Sequence, residues 1–511
     1  MDFPSILYAT RVGGHGVAHC EQGSFADLHL DQIIAGITRR NDEGEIPHLF
    51  RTPLRDSDAI RYRQEVFADL EDPDLLESAR AFAQAMGRVE RSLSLGQGGS
   101  SLLERGWFLR GAETYCAAVD ALAGELLRAP LQSRGLRDFS HALQAYRRSD
   151  SFTSLREGAR AIKGEMSDVI YSLHIRGRTV EVHGFEGEMD LGAAIEESFG
   201  DLSRGAERTY VAARTGTPRA SGLSHMERQI AGRLADLYPE VFAHLKEFCE
   251  EREGFIHRGV HSFARELAFY LAYLDYIREV RNRGLEFCYP RFADEGEVIF
   301  AEGAFDLALA RKLGRRGITA VPNDFHLSGD ERMFVVTGAN QGGKTTFARA
   351  FGQIHFLAGL GCPVPGRDAR LFPFDGIYTH FEREERIANL RGKMEDDLVR
   401  IREILECITP GSILILNEMF TSATRRDELL LSERVLRRVL RVGAVGVCVT
   451  FVEELATLDD AVVSMVASVD PEDPATRTYK IRRRPPDGLA HAISMAEKHR
   501  LTAEWLGERL G

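Results

Sequence analysis

One stretch narrows the folds open to this chain more than any other. The apolar run Met333-Phe334-Val335-Val336-Thr337 leads directly into Gly338-Ala339-Asn340-Gln341-Gly342-Gly343-Lys344-Thr345, then into the helix-forming Thr346-Phe347-Ala348-Arg349-Ala350. Strand, glycine-rich turn and helix in this order form the phosphate-binding P-loop pattern in the context it requires. Glycines let successive backbone N–H groups curl around the β- and γ-phosphates of a nucleotide, and the helix N-terminus adds its dipole. Lys344 supplies a point charge and Thr345 a hydroxyl suited to Mg2+, while Gly338, Ala339, Asn340, Gln341, Gly342, Gly343 and Thr346 frame the phosphates. A purely structural glycine turn has no need of all three elements. The pattern predicts an ATP-binding α/β domain.

A second apolar run, Ser412-Ile413-Leu414-Ile415-Leu416, ends in Asn417-Glu418. P-loop ATPases keep a pair of acids at this place, the first helping to hold Mg2+ and the second polarising the attacking water. Here the first is Asn417, so one formal charge is missing, although its amide oxygen can still accept from a metal-bound water. Glu418 remains as the candidate base, with a structural carboxylate as the alternative. Slow turnover is expected. Val445 to Thr450 reads as a third buried strand, and Val462 to Val469 with Thr478 to Ile481 supply further ones. Such a sheet presents the ends of its first two strands to the nucleotide.

At 511 residues the chain is long enough for two or three domains. Short β-branched runs alternate with helices after Pro290, which places a boundary near residue 290. Before it the pattern is helical from Pro53, with Ile60, Val66, Phe67 and Leu70 on one face and Arg55, Arg61, Arg63 and Glu65 covering the other. A loop at 96–101 interrupts the helices. Val169 to Val182 breaks the helical period and reads as two strands joined at Arg176-Gly177-Arg178. Further on, Ser224-His225-Met226-Glu227 is a capping box opening a helix that carries Ile230, Leu234, Leu237, Val241, Leu245 and Phe248. A second helix carries Val260, Phe263, Leu267, Leu271, Leu274 and Ile277. The two can pair as an antiparallel coiled-coil-like hairpin or belong to an ordinary bundle. Residues 1–45 read as mixed strand and loop without assignable chemistry.

Seven scattered cysteines without CxxC or CxxH spacing suggest neither a disulfide framework nor a zinc site, and fit a reducing, cytoplasmic setting. Met1-Asp2-Phe3-Pro4 opens no secretory signal, and no apolar run reaches membrane-spanning length. A net charge of −12 disfavours coating nucleic acid with the whole surface and leaves a basic groove open.

With these residues in place, the sequence resembles the MutS family of DNA mismatch-repair ATPases, in particular its shorter members. The resemblance runs over Val321-Pro322-Asn323-Asp324, the 338–345 loop with Asn340 in third place, Gly361-Cys362-Pro363-Val364-Pro365 and Ile377-Tyr378-Thr379-His380. It continues through Thr424, Asp427, Thr450 and Glu454-Leu455, and reaches back to Pro53-Leu54, Ile60, Arg63, Val66 and Leu70. It spans about residues 46 to 511. Only a helix, a loop and a strand separate the P-loop from Glu418, where SMC-type ATPases insert a long coiled coil, and the LSGGQ-like signature of transporters is missing. The resemblance implies an α plus α/β fold: a segment of unknown role at 1–45, a helical core and lever domain at 46–290 with a clamp-like hairpin near 169–186, and an ABC-type P-loop ATPase domain at 291–511. It implies ATP with Mg2+ as cofactors, a homodimer through the ATPase domain, and nucleic acid, taken as DNA in repair or recombination, clasped between lever tips. Arg176 and Arg178 would then face phosphates, unless the turn is simply solvated.

This chain departs from the family pattern in four places. Gly392-Lys393-Met394 followed by Glu395-Asp396-Asp397 stands where a Ser-Thr-Phe signature is usual; Phe451 replaces a loop histidine; and Ala320 replaces the aromatic that stacks on adenine. Residues 1–45 are too few for mismatch-recognition and connector domains, so direct mismatch reading is not expected. Two other functions stay open: a nucleotide-gated scaffold with negligible turnover, and an ATPase acting on structured RNA or ribosomes.

Overall fold

Apolar runs of five or six residues are too short for helices and long enough for strands buried on both faces. In the computed structural model, which describes residues 3–9, 16–39, 46–96, 101–176, 179–187, 225–293, 298–382, 392–469 and 477–486, they form the centre of a sheet. Contacts divide the chain into two units: Met1–Phe3 with Asp74–Pro130 and Phe139–Ala264, and Pro4–Pro73 with Leu131–Asp138 and Arg265–Gly511.

The second unit holds a seven-stranded sheet in the order His19–Cys20, Gly376–Phe381, Ser412–Asn417, Val445–Val449, Met333–Gly338, Val462–Val469 and Arg477–Arg483. Every neighbouring pair is parallel except the last, which is antiparallel. Ser412–Asn417 and Val445–Val449 are buried along their whole length, as parallel strands covered on both faces must be. One face packs the helix Lys344–Gly359, whose close approach depends on Gly352: a Cβ there would lie 2.6 Å from Ile415 Cδ1 and 2.8 Å from Leu28 Cδ1. On another cluster Val335, Leu414, Leu416 and Cys448 meet Ile401 and Ile404 of the helix Lys393–Cys407 and Val435, Leu436 and Val439 of the helix Arg425–Val442. A four-stranded sheet, ordered Arg291–Phe292, Asp368–Leu371, Ile299–Ala304 and Asn323–Leu327, completes the unit.

The N-terminal segment belongs to this same unit. His19 and Cys20 pair with Gly376 and Ile377 as an added edge strand, and two helices, Gln22–Asp27 and Leu30–Thr38, follow. Mixed strand and loop was expected here; instead Leu30, Ile33, Ile34 and Ile37 recur at three and four residues and bury one helical face. The buried Gln353 amide ties the segment down, donating to the Leu28 carbonyl at 2.8 Å and to Asp306 Oδ1 at 2.9 Å, while its oxygen accepts from Leu307 N–H at 2.8 Å.

Arg63 corrects a second expectation. It was placed on the polar face of its helix, Ser57–Asp69, yet it is only 1% exposed. Its Nε donates to the Leu7 carbonyl and its Nη1 to the Leu360 carbonyl, each at 3.2 Å, and the guanidinium lies 5.0 Å from the Tyr8 ring and 5.4 Å from the Phe269 ring. A charge this deep is tolerated because carbonyl oxygens and aromatic faces replace the lost water.

The first unit is a helical bundle with one hairpin. Ser101 opens the helix Leu102–Arg128 with a reciprocal capping box to Glu104. The β-rich stretch forms Tyr171–Arg176 and Thr179–Gly184, antiparallel and paired down to Arg176 opposite Thr179. Residue 178 and the side chain of Arg176 lie outside the described residues, as does the Ser224 cap. The long helix expected beyond that cap is broken into His225–Leu237 and Pro239–Glu251, because a proline lacks the N–H the helix interior needs and fits at a helix start. Pro239–Glu251 packs on Leu102–Arg128 and Asp150–Ser167, with Phe248 edge-on to Phe108 at 6.3 Å between ring centroids. That is bundle packing.

Candidate nucleotide-binding site

The strand Met333–Gly338 runs buried to its last residue, and the loop that follows reverses through left-handed backbone at Gly338 (φ 107°), Gln341 (φ 59°) and Gly343 (φ 94°). Glycine adopts these angles freely, whereas Gln341 does so at a cost of about 1–2 kcal/mol. Gly342 is fixed by space: a Cβ there would lie 2.9 Å from both the Ala339 carbonyl oxygen and the Ala467 Cβ. The result is a tight backbone curl opening onto the N-terminus of Lys344–Gly359.

Lys344 folds back over this curl. Its Nζ donates to the Gly338 carbonyl at 2.8 Å and the Ala339 carbonyl at 3.2 Å, and sits 4.4 Å from the centre of the Phe451 ring. The residue is 4% exposed, and burial holds its ammonium pKa below the usual lysine range, with the Glu418 carboxylate opposing that shift. Thr345 Oγ1 donates to Asn417 Oδ1 at 2.9 Å, joining the loop to the end of the strand Ser412–Asn417, even though the strand Val445–Val449 lies between the two.

Glu418 leaves that strand in a left-handed conformation (φ 55°), its N–H held by the Val449 carbonyl at 2.9 Å. Half-burial pushes its carboxyl pKa up; Lys344 opposes this and Glu382 adds to it. A carboxylate so placed is a stronger base than one in water. The Thr345 hydroxyl and the Asn417 amide are hard oxygen donors and fit Mg2+ in kind, yet neither carries charge. Among the described residues no group of three or more His, Cys, Asp or Glu could hold a metal ion.

A third side of the curl was not legible in the sequence. The edge strand Arg477–Arg483 brings Arg477 Nε to the Asn340 carbonyl at 3.2 Å. Two residues on, Tyr479 takes φ 58° and is 51% exposed; its carbonyl oxygen lies 3.7 Å from where a Gly343 Cβ would stand. Asn323 clasps this strand from the Val321-Pro322-Asn323 segment, donating to the Tyr479 carbonyl at 3.1 Å and accepting from Ile481 N–H at 2.7 Å. Lys480 Nζ donates to the Pro322 carbonyl. A positive φ at tyrosine leaves no mark in a sequence, and neither does the pairing of a C-terminal arginine with a loop 137 residues earlier.

Other singled-out residues serve local structure. Thr424 caps the helix Arg425–Val442, its hydroxyl accepting from Asp427 N–H at 3.2 Å and meeting Asp427 Oδ2 at 2.7 Å. Lys393 is the first residue of its helix and Gly392 its cap; the Lys393 side chain lies outside the described residues. Asp397 is buried 3.5 Å from His380 Nε2. Ala320 is buried.

These features define a class: an α/β domain whose largely parallel sheet carries a glycine-rich strand-to-helix turn at the carboxyl ends of its strands, next to an Asn-Glu strand end. Residues 334–493 match the family model described as MutS domain V. The DNA mismatch repair protein MSH3 of Phaeosphaeria nodorum is 34% identical over 142 residues, covering 27% of this chain and 13% of that protein. The DNA mismatch repair protein MutS of Streptococcus suis is 23% identical over 282 residues, covering 54% of this chain and 32% of that protein. The matched region thus spans less than a third of either relative. These matches give residues 334–493 the likeness of a MutS-family domain, and the wider match to MutS supports a place for the chain in that family. Among the described residues no helix is long and apolar enough to cross a membrane.

Proposed function

We propose that this chain binds and hydrolyses ATP on the 338–345 loop and uses that cycle, as a homodimer through its sheet domain, to change its grip on nucleic acid. The observation that carries the reading is the 2.9 Å bond from Thr345 Oγ1 to Asn417 Oδ1, which brings the loop hydroxyl and the base-bearing strand end to one point. Backbone N–H groups of Gly338, Ala339, Asn340, Gln341, Gly342 and Gly343 surround the phosphates, and Thr346 continues the helix N-terminus behind them. Lys344 swings from its two carbonyl partners to the β- and γ-phosphates. Glu418 orients and deprotonates the attacking water. Mg2+ arriving with the nucleotide supplies charge neutralisation, and Thr345 with Asn417 are the residues that would hold it, Asn417 through water. Tyr479, exposed beside the loop, offers a ring face to the base in place of the aromatic missing at Ala320.

Both relatives are named as DNA mismatch repair proteins, which supports DNA as the partner class. On this reading the protein clasps nucleic acid without reading mismatches directly. The helical stretch between residues 46 and 290 serves as core and lever, with the hairpin near 169–186 as a clamp tip where Arg176 and Arg178 meet phosphates.

Two variants test the site. Lys344→Ala is expected to lose ATP binding, and Glu418→Gln to keep binding while losing turnover; unchanged binding and turnover in both would reject the reading. Asn417 and Phe451 favour a second reading, a nucleotide-gated scaffold with negligible turnover. A steady-state assay with and without DNA separates the two, since the scaffold turns over no faster than its Glu418→Gln variant. A panel of homoduplex, mismatched duplex, four-way junction and structured RNA at fixed salt identifies the partner, and a preference for mismatches would contradict the proposal.

A further inference from the structure

Resting on the nucleotide reading of the loop, we propose that Arg477 is a second cation for the nucleotide's phosphate chain, supplying charge neutralisation that a carboxylate-held Mg2+ supplies in other P-loop sites. The charge balance around the loop points to it. Proteins hold Mg2+ chiefly through one or two carboxylates together with substrate phosphates. Here the two donors that would hold Mg2+, Thr345 and Asn417, bonded to each other at 2.9 Å, are both neutral, so they bring no charge to the metal. An anionic phosphate chain still has to be balanced.

Arg477 stands where it can do this. Its Nε is 3.2 Å from the Asn340 carbonyl, so the guanidinium lies against the tip of the same curl that Lys344 closes from inside. The root of the side chain is fixed. Arg477 pairs with Val469 across the antiparallel edge, the Thr478 hydroxyl donates to the Ser468 carbonyl at 2.6 Å, and Asn323 clasps the next turn of strand at Tyr479 and Ile481. A planar guanidinium meets phosphate oxygens with two parallel bonds that an ammonium cannot make, so Arg477 complements Lys344 rather than repeating it.

The test measures ATP binding by titration calorimetry at fixed ionic strength, in Mg2+ and in excess EDTA, for the wild type and for Arg477→Gln, Arg477→Lys, Asn417→Asp and Lys344→Ala. Wild-type affinity is expected to change by less than about threefold between the two conditions, and Arg477→Gln to lose about tenfold or more in EDTA, the scale of one charge-assisted hydrogen bond. Arg477→Lys keeps the charge without the fork and falls between the two. Asn417→Asp, with an added negative charge, is expected to bind well only with Mg2+. A wild type that binds in Mg2+ and loses about a hundredfold in EDTA, or an Arg477→Gln variant equal to wild type in EDTA, overturns the Arg477 proposal and leaves the loop as the nucleotide site. Absence of ATP binding by the wild type in both conditions, or a Lys344→Ala variant equal to wild type, overturns the nucleotide reading itself.

Discussion

Replacing Gly342 by alanine puts a methyl group 2.9 Å from the Ala339 carbonyl oxygen and 2.9 Å from the Ala467 Cβ, closer than carbon atoms normally approach either. Neither neighbour can step aside cheaply. The Ala339 carbonyl already accepts from Gly342 N–H at 3.2 Å and from Lys344 Nζ at 3.2 Å, and Ala467 lies in a strand paired on both sides, opposite Gly338 and Ile481. Overpacking of this kind costs about 1–3 kcal/mol. The strain falls on the phosphate curl, so the ATP constant should suffer more than global stability. The expected result is a Tm lowered by a few degrees with ATP affinity reduced by about tenfold or more. Gly392→Ala, where an added Cβ meets nothing within 4 Å among the described residues, is the control and should leave ATP affinity unchanged. Thermal unfolding followed by circular dichroism and ATP titration calorimetry read the two quantities. A Gly342→Ala protein that binds ATP like wild type would refute the claim that this curl, in this shape, is what holds the phosphates.

Four further outcomes are expected. Glu418 must be ionised to act as a base and burial raises its carboxyl pKa, so turnover should fall on acidification at a pH above the ordinary glutamate range, and a pH profile of kcat checks this. The same shift has a sign for stability: a carboxyl whose folded pKa is raised disfavours the fold once ionised, so Glu418→Gln should raise Tm at neutral pH and the gain should vanish as pH falls below the unfolded-state value. Arg63→Ala leaves the Leu7 and Leu360 carbonyls without their donor and opens space beside Phe269, a loss of about 3–5 kcal/mol that urea unfolding would measure; a change under about 1 kcal/mol would show that the buried guanidinium is dispensable. Thr345→Val strands the amide oxygen of Asn417, a buried residue, and should cost about 1–3 kcal/mol of stability, read by urea unfolding.

How much of this could be read from residues alone depended on the range of the interaction. The 338–345 loop was legible because its glycines answer local needs of backbone angle and space, and the strands at 412–417 and 445–449 because full burial leaves a continuous apolar run. Arg63 misled because its partners, Leu7 and Leu360, are 56 and 297 residues away, and a charge within an amphipathic period looks solvated until those carbonyls are in place. Pro239 was visible all along; the three-four apolar spacing continues across it, and periodicity hides a break that the missing N–H enforces. The composition change near residue 290 marks where strands begin, whereas contacts group residues by what they pack on, and so Pro4–Pro73 falls with the sheet. Nothing local signals that His19–Cys20 extends a sheet whose next strand begins at Gly376.

The loop is held on unequal terms from its different sides, and this bears on how a bound nucleotide could be sensed. Toward the centre of the sheet the hydrogen bond is a neutral one, Thr345 to Asn417, worth about 1 kcal/mol net, and Lys344 lies against the Phe451 ring. Toward the edge it is a charge-bearing arm, Arg477, on a strand whose position Asn323 fixes by two hydrogen bonds. A ligand carrying several negative charges therefore acts most strongly on the edge side, where Lys344 and Arg477 converge. Among the described residues Arg477–Arg483 is an edge strand paired only with Val462–Val469, so it has less backbone pairing to resist a shift than Ser412–Asn417, which is paired on both sides. Nucleotide occupancy should therefore be registered first as a displacement of this edge and of Tyr479 upon it, and hydrogen exchange at 477–483 with and without ATP, compared with exchange at 412–417, measures whether the edge responds while the centre stays still.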